Sequence, residues 1–160
     1  MPRPFASLLL AVALGVPFYP DKTDQCGPSA LASVLAFWGR PSEPAELRRE
    51  LYLAKLGGAL PMDLLIAARA HGMAAEMPDG DLERLKRDLD AGRPVIAFVN
   101  LGWSFLPIGH FLVVTGYDDE RRGVYAHSGL KKDAFLPYGR FLRQWERAGR
   151  WSLVVSGRAS

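Results

Sequence analysis

At 160 residues, with 49% hydrophobic and 23% charged side chains, the chain has the size and composition of one globular domain around a single sizeable core. The net charge of +3 comes from scattered arginines and the short pairs Arg48-Arg49, Arg121-Arg122 and Lys131-Lys132; these read as solvated faces rather than a nucleic-acid-binding stripe. One cysteine excludes an internal disulfide. With only three widely spaced histidines beside it, no metal-ligand cluster and no cofactor is expected.

In chain order, residues 5–15 come first. This apolar run after Arg3 has the form of a signal-peptide core, with Ala13-Leu14-Gly15 as a small-x-small step. It is too short to read as a bilayer span. The expectation is an exported protein, periplasmic or membrane-associated through a segment over residues 1–15, with the domain proper occupying residues 16–160. The other reading is an N-terminal strand or helix that packs on the domain.

From Cys26 the pattern turns helical. Leu31, Val34, Leu35 and Trp38 recur at i, i+3, i+4 and i+7, Pro28 suits the first turn, and Gly39 supplies a stop. Ser42 can cap a second helix with Pro44 in its first turn and Leu47 and Leu51 facing inward. Residues 52–60, with Gly57-Gly58, read as loop. Pro61 opens a third helix ending near His71, and Asp79 or Asp81 opens a fourth with Leu82, Leu85 and Leu89 on one face. Strand patterns follow at residues 94–100, 110–118 and 123–127, the last two joined by a hairpin turn. A short helix over residues 137–148, with Phe141, Leu142 and Trp145 inward, and a strand over 151–155 complete the chain. Helices first and an antiparallel sheet later make an α+β architecture.

Two residues in this layout can carry nucleophilic chemistry. Cys26 stands where a loop enters a helix, so unpaired amides and the positive end of the macrodipole favour its thiolate. Such a thiol needs a base. His71 ends a helix and reads as a partner for that helix C-terminus. His127 lies in a later strand as a supporting group or a surface residue. His110 opens the most strand-like run of the chain, after the apolar loop 101–109, and can face a helix N-terminus. Cysteine first and histidine much later suits a site assembled by folding, with sulfur and a ring nitrogen within about 4 Å directly or after a side-chain rotation.

The stretch Val16-Pro17-Phe18-Tyr19-Pro20, with Gln25-Cys26-Gly27-Pro28-Ser29-Ala30-Leu31-Ala32-Ser33-Val34-Leu35, resembles the nucleophile motif of C39 peptidases. Gly109-His110-Phe111-Leu112-Val113-Val114-Thr115-Gly116-Tyr117-Asp118 resembles their histidine motif. The resemblance runs from about residue 16 to 155. It implies a papain-like fold and a cysteine peptidase that takes a peptide or protein substrate. The family includes leader-cleaving domains of bacteriocin exporters, which cut after a double glycine. It also includes stand-alone exported bacterial members, which this chain resembles more closely.

Two positions depart from the family pattern. The glutamine whose amide helps form the oxyanion hole is replaced by Asp21, and an ionised carboxylate cannot donate. Gln25 is a possible substitute. The family's acidic or amide third residue is missing from the strand after the histidine strand, where His127-Ser128-Gly129 stands. The imidazole's partner is Ser128 or, from another strand end, Asn100. Trp103, in the loop before His110, reads as a wall of a substrate groove. These departures motivate an alternative: a catalytically impaired relative that binds peptides or serves as a scaffold. A transglutaminase-like acyltransferase shares the Cys-then-His order but fits the residues around Cys26 less well. Nothing in the sequence specifies an oligomeric state.

Overall fold

The computed structural model describes residues 10–21, 25–51 and 60–158. The first nine residues of the proposed export segment, and nearly all of the loop expected at 52–60, lie outside the described residues.

Three helices come first. α1 (Cys26–Phe37), α2 (Pro44–Leu51) and α3 (Pro61–Ala70) match the hydrophobic spacing, and Leu31, Val34, Leu35, Leu47, Leu51 and Leu64 are all buried. Gly39 stops α1 with φ +75°, a conformation that disfavours side chains. The Trp38 indole donates to the carbonyl of Val155 at 2.8 Å and pins the end of α1 to the sheet. His71 caps α3 and meets Glu50 of α2 at 3.2 Å. Farther along come α4 (Leu82–Asp90), capped by the Asp81 carboxylate, and α5 (Tyr138–Arg147), with Phe141 and Trp145 fully buried.

The strands are β1 (Ala11–Ala13), β2 (Met73–Glu76), β3 (Val95–Asn100), β4 (Gly109–Asp118), β5 (Gly123–Ser128), β6 (Lys131–Pro137) and β7 (Ser152–Arg158). They form one antiparallel sheet in the order β2-β7-β3-β4-β5-β6, with β1 paired to the last residues of β4. Alternation along the strands divides the core in two. Ile96, Phe111, Val113, Leu153 and Val155 pack with the residues of α1, α2 and α3. Val95, Ala97, Leu112, Val114 and Val154 pack on the other side with those of α4 and α5. No described helix is long and apolar enough to cross a membrane.

Three strands were not expected, or expected only as an alternative. Ala11–Ala13 lies in the apolar run read as a signal-peptide core, ending at the first residue of the Ala13-Leu14-Gly15 step, and it pairs with Gly116 to Asp118. β2 is short and half alanine. β6 begins Lys131-Lys132-Asp133, a pattern that alternation does not recognise, and forms an exposed edge where charge deters further pairing.

Candidate active site

α1 begins at Cys26, and its first turn abuts the mouth of β4. The backbone N–H groups of Phe111, one residue after His110, and of Gly27 and Cys26 are near enough to the sulfur to favour its charged form. A carboxylate oxygen of Asp21, Cys26 Sγ and a ring nitrogen of His110 all lie within 4.8 Å of one another. Asp21 is held there by its backbone, whose N–H donates to the carbonyl of Gly129 at 2.9 Å. The expected approach of Cys26 to His110 is thus met within 4.8 Å, with the Asp21 carboxylate at the same point.

His110 Nε2 lies 3.0 Å from Ser128 Oγ, across the β4–β5 ladder. That contact leaves Nδ1 as the ring nitrogen not engaged by Ser128. Asn100 is committed elsewhere. Its Oδ1 accepts from the N–H groups of Gly102 and Ile108, each at 2.9 Å, and its Nδ2 reaches the carbonyl of Trp103 at 3.5 Å. The side chain ties the two ends of the loop over residues 101–108, so its position is explained by the loop it closes and not by the imidazole.

Gln25 precedes the helix without capping it through its side chain, and it borders a separate depression with Ala45, Arg48 and Arg49. Asp21, not Gln25, is the polar side chain beside the sulfur. Behind the thiol, Asp21, Cys26, Ser29, Ser33 and His127 border a cavity of about 10 Å³, room for one water. The loop before His110 forms a small hairpin, with Trp103 and Leu106 bridged, and it exposes Trp103 (61%) and Phe105 (83%) with their rings stacked 6.4 Å apart. Arg147 lies under Trp103 and donates to the carbonyl of Gly102 at 3.0 Å.

The electrostatics reverse one expectation. Burial pushes the Cys26 thiol above its ordinary value, and the negative charge of Asp21 adds to that push; the three backbone N–H groups oppose it without winning. Burial also holds His110 below the usual imidazole range. The position at a helix N-terminus therefore does not yield a resting thiolate. Both shifts run against a thiolate–imidazolium pair: burial disfavours the charged form of the sulfur and of the ring alike.

Sequence reasoning left His127 open between a supporting group and a surface residue. The side chain is buried, with Nε2 2.8 Å from the carbonyl of Val16 and Nδ1 accepting from the N–H of Asp133 at 3.1 Å. It fastens the approach to the nucleophile loop onto β5. The clue was a polar residue in an otherwise apolar strand.

A helical half and an antiparallel sheet meeting at a cysteine and a histidine define the papain-like α+β class. The chain belongs to the Peptidase_C39 like family, whose model matches residues 13–153. Among solved structures it is similar to a C39-like peptidase from Bacillus anthracis at 21% identity and a TM-score of 0.78, covering 94% of this chain and 99% of that one. A double glycine motif protease from an AMS/PCAT transporter, solved in complex with its leader peptide, is 23% identical with a TM-score of 0.72, covering 90% and 93%. Xylellain, a cysteine protease from Xylella fastidiosa, is 16% identical with a TM-score of 0.67, covering 96% and 88%. At these identities the likeness speaks for the fold. No curated protein matches the sequence.

Proposed function

We propose that this chain is a cysteine peptidase in which Cys26 is the nucleophile and His110 the general acid and base. The observation that carries the reading is the convergence of Cys26 Sγ and a His110 ring nitrogen from opposite halves of the chain, with Ser128 on the other nitrogen. With the Nε2 proton donated to Ser128, Nδ1 holds the lone pair that faces the site. Burial disfavours both charged forms, so in this reading the sulfur loses its proton to Nδ1 as it attacks the scissile carbonyl. Nδ1–H then protonates the leaving amine, and water hydrolyses the thioester by the same base. The Cys26 N–H at the start of α1 is one oxyanion donor. Asp21 stands beside the sulfur where the family's second donor belongs, and while ionised it opposes the developing charge. Ser128 orients the imidazole but brings no charge to stabilise an imidazolium. Turnover is therefore expected to be slow.

The substrate is a peptide or protein segment, laid against the exposed rings of Trp103 and Phe105. The transporter protease, for comparison, was solved with a leader peptide. We also attach export to residues 1–15 on sequence grounds. Cleavage after residue 15 would remove β1 from its pairing with β4, so fractionation with N-terminal sequencing of the mature chain tests this directly. The catalytic reading is tested by labelling with an electrophilic cysteine-protease probe. Labelling that collapses in His110→Ala supports the dyad. Equal, slow labelling of both proteins leaves a peptide-binding domain without turnover.

A further inference from the structure

Among the described residues, Asp21, Cys26 and His110 are the one place where three metal-competent donors converge. We propose that these side chains form a binding site for a zinc-class divalent cation, and that the bound ion masks the thiol. The donor set is one sulfur, one imidazole nitrogen and one carboxylate oxygen. That mixture suits a borderline-soft ion that accepts S, N and O together, and it suits Mg²⁺ or Ca²⁺ poorly because those select oxygen alone. Three protein ligands with a fourth position left to water is the arrangement of an open, exchangeable site.

The geometry is close to what such an ion requires. With bonds of about 2.0–2.3 Å, a tetrahedral ion holds its ligand atoms roughly 3.3–3.8 Å apart. The three donors already lie within 4.8 Å, so side-chain rotations of about an ångström close the set. Supporting contacts are in place as well. A metal-bound imidazole is normally oriented by a hydrogen bond at its other nitrogen, and Ser128 Oγ sits 3.0 Å from His110 Nε2. The backbone of Asp21 is fastened to Gly129, next to Ser128, so carboxylate and imidazole are held from the same turn.

Charge explains why this chain is suited to the task. A neutral glutamine amide in place of Asp21 would leave the site with one anionic ligand, the thiolate. Here the carboxylate and the thiolate together neutralise a divalent ion, and on binding the thiol releases its proton to solvent. Occupancy ties up the sulfur lone pairs and Nδ1, so the same atoms cannot at that time attack a peptide. The inference uses the side chains of the peptidase reading but does not require turnover.

The test uses the full chain stripped of metal by a chelator, titrated with Co²⁺ by absorption and with Zn²⁺ by calorimetry at neutral pH. The expected result is a set of visible bands of tetrahedral Co²⁺ with a near-ultraviolet thiolate-to-cobalt band, the latter lost in Cys26→Ser. Zn²⁺ affinity should fall in Asp21→Asn by more than the roughly 10–100-fold that an outer partner is worth, and in Ser128→Ala by about that smaller amount. Alkylation of Cys26 by iodoacetamide should slow as Zn²⁺ fills the site and recover on chelation. Absence of the thiolate-to-cobalt band, or unchanged Zn²⁺ affinity in Asp21→Asn, overturns the proposal. If His110-dependent labelling of the apo chain persists in that case, the peptidase reading survives alone. If the bands form but labelling ignores His110, the metal site stands and the peptidase reading falls.

Discussion

His110 and His127 lie on neighbouring strands, yet they occupy opposite kinds of environment. Both nitrogens of His127 are committed to the backbone, one donating to Val16 and one accepting from Asp133, so its tautomer is fixed and it has no lone pair to lend. His110 has one nitrogen engaged by Ser128, and a ring nitrogen lies within 4.8 Å of a thiol and a carboxylate. Two imidazoles in one sheet are thus separated by how much of their hydrogen-bonding capacity the fold consumes. A fully satisfied buried histidine is a fastener, whereas one with a nitrogen left over can do chemistry.

Removing each ring is the strongest way to break this contrast. His110→Ala should slow probe labelling of Cys26 by about 10²–10⁴-fold, the range of general-base help, with little change in stability. His127→Ala should do the reverse. It strands the Val16 carbonyl and the Asp133 N–H, at a cost of about 1–3 kcal/mol measured by chemical denaturation. Comparable kinetic effects of the two substitutions would mean that the assignment by spare nitrogen is mistaken.

Asp21 supplies the next largest effect. Asp21→Gln replaces a carboxylate with a donor beside the sulfur and should raise peptide turnover, since one oxyanion donor is typically worth about 10²–10³ in rate. An unchanged rate in an otherwise active enzyme would assign the hole to another group.

Ser128 and Asn100 then sharpen the picture around His110. Ser128→Ala should slow labelling by more than about threefold, well short of the loss of the base itself. Asn100→Ala should loosen the 101–108 loop and weaken peptide binding while leaving the reactivity of the thiol toward a small electrophile nearly unchanged. If neither change exceeds about threefold in labelling, the site is a bare dyad or an inactive relative.

The smallest effect is in pH dependence. Burial and Asp21 raise the Cys26 thiol, so less thiolate exists at neutral pH. Iodoacetamide alkylation of the apo chain should therefore keep rising with pH beyond the ordinary thiol value of about 8.5. Asp21→Asn removes the negative neighbour and should move the midpoint down. The shift is incomplete because desolvation, the larger cause, remains. A midpoint that stays put would show that Asp21's charge does not reach the sulfur.

What the sequence by itself determined was whatever rests on local pattern. The inward faces of α1, α4 and α5 follow from a 3.6-residue period, β3 and β4 from apolar runs bounded by turn signals, and Gly39 marks a helix end with positive φ. The C39 resemblance and the pairing of Cys26 with His110 were legible for a related reason: few residues in the chain can act as a nucleophile or its base. Only the tertiary structure decided the rest. β1, β2 and β6 are too short, too alanine-rich or too charged to announce themselves; distant partners complete the ladders of β1 and β2, and β6 closes a hairpin on β5. The choice of Ser128 beside the imidazole, with Asn100 spent on a loop, depends on where side chains end across a sheet. So does the approach of Asp21 to the sulfur. The helix terminus favours a thiolate at Cys26 locally, whereas the desolvation and the neighbouring carboxylate that push the thiol up come from everything the fold packs around the atom.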